Sequence, residues 1–311
     1  GTESSLLVDT LYDLKLTRRM LAEMQHVTGT AAIGQVVNTH ANGDHCWGNQ
    51  ALGRARIISS RAAAEEMLEL KPSLMHTLVR ASRTLQSSAA ARRALELLAR
   101  LGVKPAGDLA EASDLVVEAF GSFDFAEVRL RLPDTVFDGE LHLLIDGTRV
   151  LLLEVGPAHT RGDVIVYLPR ERVVYTGDIL FIDSHPIMWA GPVSQWIAVC
   201  DRILQLDVEV VVPGHGPLTD RAGVERVRDY WSTLLARARA ARAQNVPADE
   251  LARQLLCEWD WSEAERLVVN VDAIYRELDG DRRPVRPLAQ LASMARLAKH
   301  AKHAKSRSAS R

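Results

Sequence analysis

The amino-acid sequence predicts an α/β protein in which two β-sheets pack against each other and helices cover them. Up to residue 60, short β-branched runs alternate with segments of helical apolar spacing. Between residues 128 and 175 short strands follow one another as a meander, and beyond residue 218 the apolar spacing is helical. This order of elements is typical of a two-sheet sandwich flanked by helices. A chain of 311 residues is long enough to bury such a core.

The first part of the chain holds the strands that are separated by helices. Residues 4–8 form an apolar strand, and residues 14–24 have helical apolar spacing. Residues 33–37 are a β-branched run that is typical of a buried strand, and residues 55–59 form the next strand. Residues 38–49 are therefore predicted to be a loop that follows a strand, where catalytic and metal-binding groups often collect.

A helical insertion is predicted over residues 61–120. Ala, Leu, Arg and Glu dominate residues 61–100 with helical periodicity, and Pro72 interrupts the run near its start, so we expect at least two helices. Two interpretations are open. The insertion is either a plain cover of the surface or a wall or lid over the functional face.

The meander and the strands after it supply the second half of the sandwich. Asp146-Gly147 is a hairpin signal between two of its strands. A helix at residues 193–206 leads to a last strand at residues 208–212. The strands predicted in the meander are residues 128–132, 141–145, 150–155, 164–167 and 172–175.

The C-terminal part of the chain is predicted to be helical. Helical spacing covers residues 221–244, 249–258 and 262–277, so residues 221–298 are expected to pack as C-terminal helices. Residues 299–311 are basic, with little apolar surface, and are predicted to be a flexible, solvated tail.

Histidine and aspartate collect in four short segments, each at or just after the end of a predicted strand. Imidazole nitrogens and carboxylate oxygens suit zinc first, with iron or manganese as alternatives. The segments are His40-Ala41-Asn42-Gly43-Asp44-His45, His159-Thr160-Arg161-Gly162-Asp163, Thr176-Gly177-Asp178 and Pro213-Gly214-His215-Gly216.

These four segments, in this order, resemble the metal-binding motifs of the metallo-β-lactamase superfamily, in particular its glyoxalase II-like hydrolases. The resemblance covers roughly residues 5–220. It implies an αββα sandwich over residues 1–220 that contains the helical insertion. It also implies that Asp9, at the end of the first strand, supports the metal-binding loop.

The resemblance further implies a ligand set. His40 and His159 would hold one metal ion. Asp44, His45 and His215 would hold a second, and Asp178 would bridge the two.

Asn42 departs from the family pattern, because it stands where the second histidine of His-x-His-x-Asp-His is expected. An amide oxygen is a neutral and weaker zinc ligand than imidazole, so the first site is expected to bind metal less tightly. Three outcomes are open: two metals with an amide or water ligand, one metal at the second site, or a harder metal such as iron.

The resemblance implies a hydrolase. A water molecule bridging two cations has its pKa lowered from 15.7 to about 7, and the resulting hydroxide attacks a carbonyl carbon. Asp44 would orient this nucleophile or relay a proton. An ester, lactone or thioester of a small molecule is the leading substrate. The alternatives are an iron-containing redox enzyme on the same fold and a β-lactamase-like amide hydrolase.

Two further residues are candidates for substrate binding. His185 and Trp189 lie in residues 179–196, an irregular segment between two ligand motifs, so this segment is expected to border the active site. An ordinary loop histidine with one hydrogen bond is the alternative for His185.

Composition and charge limit the partners. The net charge of −2 gives no drive toward nucleic acid or membranes, and no apolar run reaches the roughly 20 residues that span a bilayer. Cys46, Cys200 and Cys257 show no paired or zinc-ribbon spacing, so the reducing cytoplasm is the expected compartment. A small-molecule substrate is the expected partner, and the sequence leaves a homo-oligomer open.

Overall fold

The computed structural model describes the backbone of residues 4–29 and 32–309, and the side chains of these residues up to residue 302. The chain forms two compact units. The first contains the described residues up to Leu74, together with Asp124–Ile182 and Met188–Ser232. The second contains Met75–Phe123, Asp183–Ile187 and the chain from Thr233 onward.

The first unit contains two sheets, and all strands of the first sheet are parallel. Its order is β1 (Ser4–Val8), β2 (Ala32–Val37), β3 (Arg56–Ser60) and β4 (Thr135–Phe137). Because parallel strands end at the same edge of a sheet, the loops after β1 and β2 lie side by side. Asp9 and the loop that begins at Asn38 are therefore neighbours.

The second sheet is a meander that ends with one parallel strand. Its order is β5 (Glu140–Ile145), β6 (Thr148–Glu154), β7 (Val164–Leu168), β8 (Val173–Phe181) and β9 (Val210–His215). Strands β5 to β8 are antiparallel neighbours, and β9 is parallel to β8. Asp146 (φ 47°) and Gly147 (φ 81°) make the turn between β5 and β6, which confirms the hairpin predicted from Asp-Gly.

Apolar side chains from both sheets meet in one layer between them. Val37, Ile58 and Phe137 from the first sheet pack in one cluster with residues of the second sheet, among them Val150 and Leu152. A second cluster covers the outer face of the first sheet under the helix that follows β1. The predicted two-sheet architecture with flanking helices is confirmed.

The predicted strand at residues 128–132 is wrong, because this segment belongs to no sheet. Side chains take the place of a strand ladder here. The Arg129 amide donates to Gln50 Oε1, and the Arg131 guanidinium donates to the carbonyls of Gly53 and Ala55. The alternating apolar pattern predicted a strand, whereas β3 pairs with β4, a few residues further along the chain.

Some of the helices belong to the first unit with the sheets, and others form the second unit. Among the helices of the described chain, none combines the length and apolar character needed to cross a bilayer. The helices are α1 (Leu14–Thr28), α2 (Gly43–Cys46), α3 (Arg61–Glu66), α4 (Pro72–Ser87), α5 (Ala89–Arg100), α6 (Lys104–Phe120), α7 (Val193–Gln205), α8 (Arg221–Ala243), α9 (Ala248–Gln254), α10 (Leu267–Asp279) and α11 (Pro287–Ala309).

The second unit joins most of the helical insertion to the C-terminal helices, since Met75–Phe123 and the chain from Thr233 onward belong to it. Helix α11 continues to Ala309, and Lys302 forms an ion pair of 3.1 Å with Glu118 of α6. Ser310 and Arg311, the end of the predicted tail, lie outside the described residues. The domain limits at residues 220 and 298 and the role of the insertion stay predictions.

Candidate metal centre

The four histidine- and aspartate-bearing segments meet at one edge of the sandwich. His40 lies just after β2, and Asp44 and His45 are in the short helix α2. His159 lies in the loop between β6 and β7. Asp178 lies inside β8, and His215 is the last residue of β9. These two residues therefore belong to strands, and not to loops that follow strands.

The six side chains form two groups that could each hold a metal ion. The first group is His40, His159 and Asp178, and all three are buried. The second group is Asp44, His45 and His215, which is more open to solvent. Within each group the ligand atoms lie within 4.8 Å of one another.

Asp178 lies between the two groups. Its Oδ2 is 3.3 Å from Nε2 of His159, 3.3 Å from Nε2 of His215 and 3.7 Å from Nε2 of His40. Its Oδ1 is 3.1 Å from Nε2 of His45. One carboxylate therefore faces all four imidazoles, which is the position a bridging ligand needs.

Glycine makes this approach of β9 to β8 possible. A Cβ atom on Gly214 would lie 2.1 Å from Oδ1 of Asp178. Any other residue at this position would displace the carboxylate.

Asp9 orients two of the imidazoles. Its Oδ2 accepts hydrogen bonds from Nδ1 of His45 at 2.9 Å and from Oγ1 of Thr39 at 2.8 Å. The Thr39 hydroxyl lies 3.0 Å from Nδ1 of His40, so it accepts from that nitrogen while it donates to Asp9. Both imidazoles thus carry a proton on Nδ1 and turn Nε2 toward Asp178, the orientation that metal-ligating histidines have.

Amide side chains fix the backbone of the same loop. Asn38 Nδ2 donates to the His45 carbonyl at 2.8 Å, and Asn49 Nδ2 donates to Asn38 Oδ1 at 2.8 Å. The Thr10 amide donates to the same His45 carbonyl at 2.9 Å. Asn38 and Asn49 are completely buried, so these hydrogen bonds fix the loop from its buried side.

Asp163 organises the loop that carries His159. Its carboxylate accepts hydrogen bonds from the amides of Ala158 and Thr160 and from the Thr160 hydroxyl, at 2.6–3.1 Å. Ser60 ties the loop to α3, because its hydroxyl donates to the Gly162 carbonyl at 2.6 Å and caps the Ala63 amide.

The charged groups of the centre shift one another's pKa values. Burial lowers the pKa of His40 well below its ordinary value, and His45 lowers it further. Burial opposes the protonation of His215, but the carboxylates of Asp178 and Asp44 raise its pKa to about 10. Burial alone would raise the pKa of Asp44, yet His45 and His215 lower it to about 2. Positive charge is thus stabilised between the carboxylates.

The residues fit a divalent metal ion. Nε2 of His40, Nε2 of His45 and Oδ1 of Asp178 are buried and make no hydrogen bond within the described part of the chain. Buried polar atoms without a partner are rare, because their desolvation is not compensated. His40 belongs to the first group and His45 to the second, and the Asp178 carboxylate faces both. Nitrogen and oxygen donors in this arrangement suit zinc or a similar divalent cation.

Asn42 lies next to the first group. Its Nδ2 donates to Nε2 of His159 at 2.9 Å. The amide therefore contacts the same imidazole nitrogen that faces Asp178.

The two predicted substrate contacts are placed differently. Trp189 is 41% exposed, and its backbone amide donates to the His159 carbonyl at 3.0 Å, so its backbone is anchored to a ligand loop. His185 belongs to the second unit, where its buried ring packs edge-on against Trp259 and Trp261. Burial lowers the pKa of His185 to about 4, and Arg266 adds to this.

The sequence reasoning missed Thr39, Asn38 and Asn49. Asn38 and Thr39 directly precede His40, so their position beside a ligand was a usable signal. Nothing in the sequence indicated that Asn49 reaches back to Asn38.

A sequence model of the metallo-beta-lactamase superfamily matches residues 1–215. The 2,4-dinitroanisole O-demethylase subunit alpha from Nocardioides sp. (strain JS1661) is 33% identical over 125 residues, which are 39% of this chain and 38% of that protein. The acyl-coenzyme A thioesterase MBLAC2 from Gallus gallus is 29% identical over 98 residues, 30% of this chain and 34% of that protein. The matched segments thus span less than half of either relative.

A solved structure shares the fold over most of the chain. The stereoselective inverting sec-alkylsulfatase Pisa1 from Pseudomonas sp. superposes with a TM-score of 0.63 and 17% sequence identity. The match covers 92% of this chain and 49% of that protein. At this identity the likeness shows a common fold only.

Proposed function

Because this chain belongs to the metallo-β-lactamase superfamily, we propose that it is a metal-dependent hydrolase that cleaves an ester, lactone or thioester of a small molecule. Members of the superfamily are mostly metal-dependent hydrolases. The observation that carries the proposal is the pair of adjacent ligand groups, of which the first contains Asp178 and the second places two imidazoles within 3.3 Å of the same carboxylate.

The donor set supports zinc, as one or two ions. Its atoms are imidazole nitrogens and carboxylate oxygens, which zinc prefers, and iron or manganese also accepts them. A divalent cation bound here would polarise a carbonyl oxygen and lower the pKa of water, which supplies a nucleophile at neutral pH.

Asp44 is the proposed catalytic residue. His45 and His215 hold its pKa at about 2 although burial opposes this, so the carboxylate is ionised at neutral pH. Its side chain is 20% exposed, compared with 3% for Asp178. An ionised carboxylate at the open side of the centre can accept a hydrogen bond from the attacking water and so orient it.

The open side of the centre is where a substrate would approach. The side chain of His215 is 38% exposed, and its ring stacks on Phe181 with the ring centres 4.9 Å apart. Trp189, anchored to the His159 carbonyl, adds an exposed aromatic surface beside the same group of loops. We therefore assign Trp189 to the contact with the apolar part of the substrate. A contact from His185 stays a prediction.

The loops that carry the ligands have few positively charged side chains, which favours a substrate without an anionic group next to the bond that is cleaved. Residues 38–49, 156–163, 177–192 and 213–218 contain no lysine and one arginine, Arg161. The guanidinium of Arg161 is already bound to Glu69 and Glu66. No lysine or free arginine of these loops is thus available to hold a carboxylate or sulfate next to the reacting bond.

The relatives support a small acyl or aryl compound. One of them is named as an acyl-coenzyme A thioesterase and another as a demethylase of 2,4-dinitroanisole. Water adds to the acyl carbon of a thioester and expels the thiol, which is the class of reaction proposed here. This supports thioesters first for the present chain, with esters and lactones next.

The proposal is tested by turnover of the purified full chain. A panel of acyl thioesters, with and without the coenzyme A group, aryl esters, lactones and a β-lactam is assayed before and after dialysis against a chelator. We expect hydrolysis of at least one ester, lactone or thioester, loss of this activity on dialysis, and recovery with zinc.

Each result decides between the candidates. Hydrolysis that persists at full rate in metal-free protein contradicts the proposal. Turnover of the β-lactam alone favours the amide hydrolase, and abundant bound iron with oxygen consumption favours the redox enzyme. His215→Ala is the negative control: it removes one ligand from the open side, so it should be inactive under all conditions.

A further inference from the structure

The side chain of Asn42 is used in the metal centre and not in the helix it precedes. Asn42 occupies the position before α2 with an extended backbone (φ −67°, ψ 145°), and its carbonyl accepts from the His45 amide at 3.0 Å. Asparagine is among the best residues for capping a helix from this position. Its side chain nevertheless makes no capping hydrogen bond.

The amide contacts a prospective ligand atom. Nδ2 of Asn42 donates to Nε2 of His159 at 2.9 Å, across 117 residues of sequence. The same Nε2 lies 3.3 Å from Oδ2 of Asp178. A cation that binds this nitrogen must replace the hydrogen bond, and the carboxamide must rotate before its oxygen can serve as a ligand.

The two groups also differ in their charged ligands. The second group, together with Asp178, supplies two imidazoles and two carboxylates, those of His45, His215, Asp44 and Asp178. Oxygen atoms of Asp178 lie within 3.3 Å of both imidazoles. Imidazole nitrogens and carboxylate oxygens in this number suit zinc. His40 and His159 have only the shared Asp178 carboxylate and the neutral amide of Asn42.

We propose that Asn42 makes the centre unequal, so that the chain binds one divalent cation tightly at Asp44, His45, His215 and Asp178 and a second one weakly at His40 and His159. The inference rests on the proposed metal-dependent function. Its test measures metal binding without any substrate, so that it can fail while hydrolysis is established.

The experiment is a titration of the metal-free full chain with Co²⁺, followed by visible absorption, and with Zn²⁺, followed by calorimetry. We expect two phases whose affinities differ on the order of tenfold to 100-fold, the size of effect that neighbours of a metal ligand commonly have. Asn42→His restores a third imidazole and should bring the weak phase close to the tight one.

Two ligand variants assign the phases. His215→Ala should remove the tight phase, and His159→Ala should remove the weak phase and leave the tight one. Circular dichroism checks that each variant is folded, and the wild-type and Asn42→His titrations decide the matter even if a ligand variant fails to fold.

Several results would overturn the inference. Two equal phases in the wild type contradict it, as does an Asn42→His variant with unchanged affinities. Loss of the tight phase in His159→Ala reverses the assignment and also contradicts it. A chain that binds no divalent cation overturns both this inference and the proposed function, whereas unequal binding without hydrolysis overturns the function alone.

Discussion

The carboxylate of Asp9 and the imidazole of His45 are joined by a hydrogen bond of 2.9 Å between Oδ2 and Nδ1. Asp9 directly follows β1 and His45 lies in α2, so the edge of the first sheet sets which nitrogen of His45 faces the metal centre. Because His40 is linked to the same carboxylate through Thr39, one aspartate orients a ligand of each group.

Replacing Asp9 by asparagine should lower metal affinity by about tenfold to 100-fold. Both carboxylate oxygens accept hydrogen bonds, one from the Thr39 amide and the other from Thr39 Oγ1 and His45 Nδ1, and an amide keeps only one acceptor oxygen. Zn²⁺ calorimetry measures this affinity. Asp13→Asn is the matched control, since that buried carboxylate caps α1 at the Leu16 amide and binds the Asp124 amide. Equal affinities in wild type and Asp9→Asn would show that Asp9 does not orient the ligands.

Purified protein prepared without a chelator should carry a transition metal, most of it zinc, at between one and two equivalents. The reason is the set of buried nitrogen and oxygen atoms that have no hydrogen bond within the described residues. Elemental analysis decides this prediction. A folded, active preparation without metal would be incompatible with the proposed chemistry.

Asp44→Ala and His215→Ala should each abolish turnover and lower the metal content, while thermal unfolding changes little. Both side chains are partly exposed and belong to the ligand group rather than to the apolar core. Asp207→Ala is the control, because Asp207 is an exposed carboxylate that pairs with Arg172. An Asp44→Ala variant with full metal and near-normal activity would show that the ligand assignment is wrong.

Trp189→Ala should raise KM for substrates with an aryl or long alkyl group and change kcat little. One aromatic contact contributes about 0.5–1.5 kcal/mol, so KM should rise roughly twofold to tenfold. Leu144→Ala, which truncates a side chain that is 72% exposed on β5, is the control. A fall in kcat with an unchanged KM would assign Trp189 to the support of the His159 loop instead.

Deleting residues 299–311 should leave activity unchanged and lower the melting temperature by no more than about 2–4 °C. The deletion removes the Lys302–Glu118 ion pair, whose side chains are 69% and 65% exposed, and an exposed pair contributes roughly 0–1 kcal/mol. Thermal unfolding and an activity assay measure the two effects. A large loss of either would show that the end of α11 is needed for packing or for the site.

The sequence predicted most of the strands and helices because their signals are local. Alternating or β-branched runs fixed β2, β6 and β7, and the Asp-Gly turn fixed the hairpin between β5 and β6. The same kind of signal failed at residues 128–132, where Arg131 binds carbonyl groups of the loop before β3 and a strand ladder does not form. A single strand pattern cannot indicate whether a neighbouring strand is available for pairing.

By itself the sequence determined which side chains have metal-binding chemistry, since His40, His159, Asp178 and His215 stand in recognisable motifs. Only the tertiary structure decided how these side chains are oriented. The hydrogen bonds that set the tautomers join Asp9 to His45, and the bond from Asn42 reaches His159 across the sandwich. Such contacts depend on which strand ends meet at one edge of the sheets, and local sequence preferences do not contain that information.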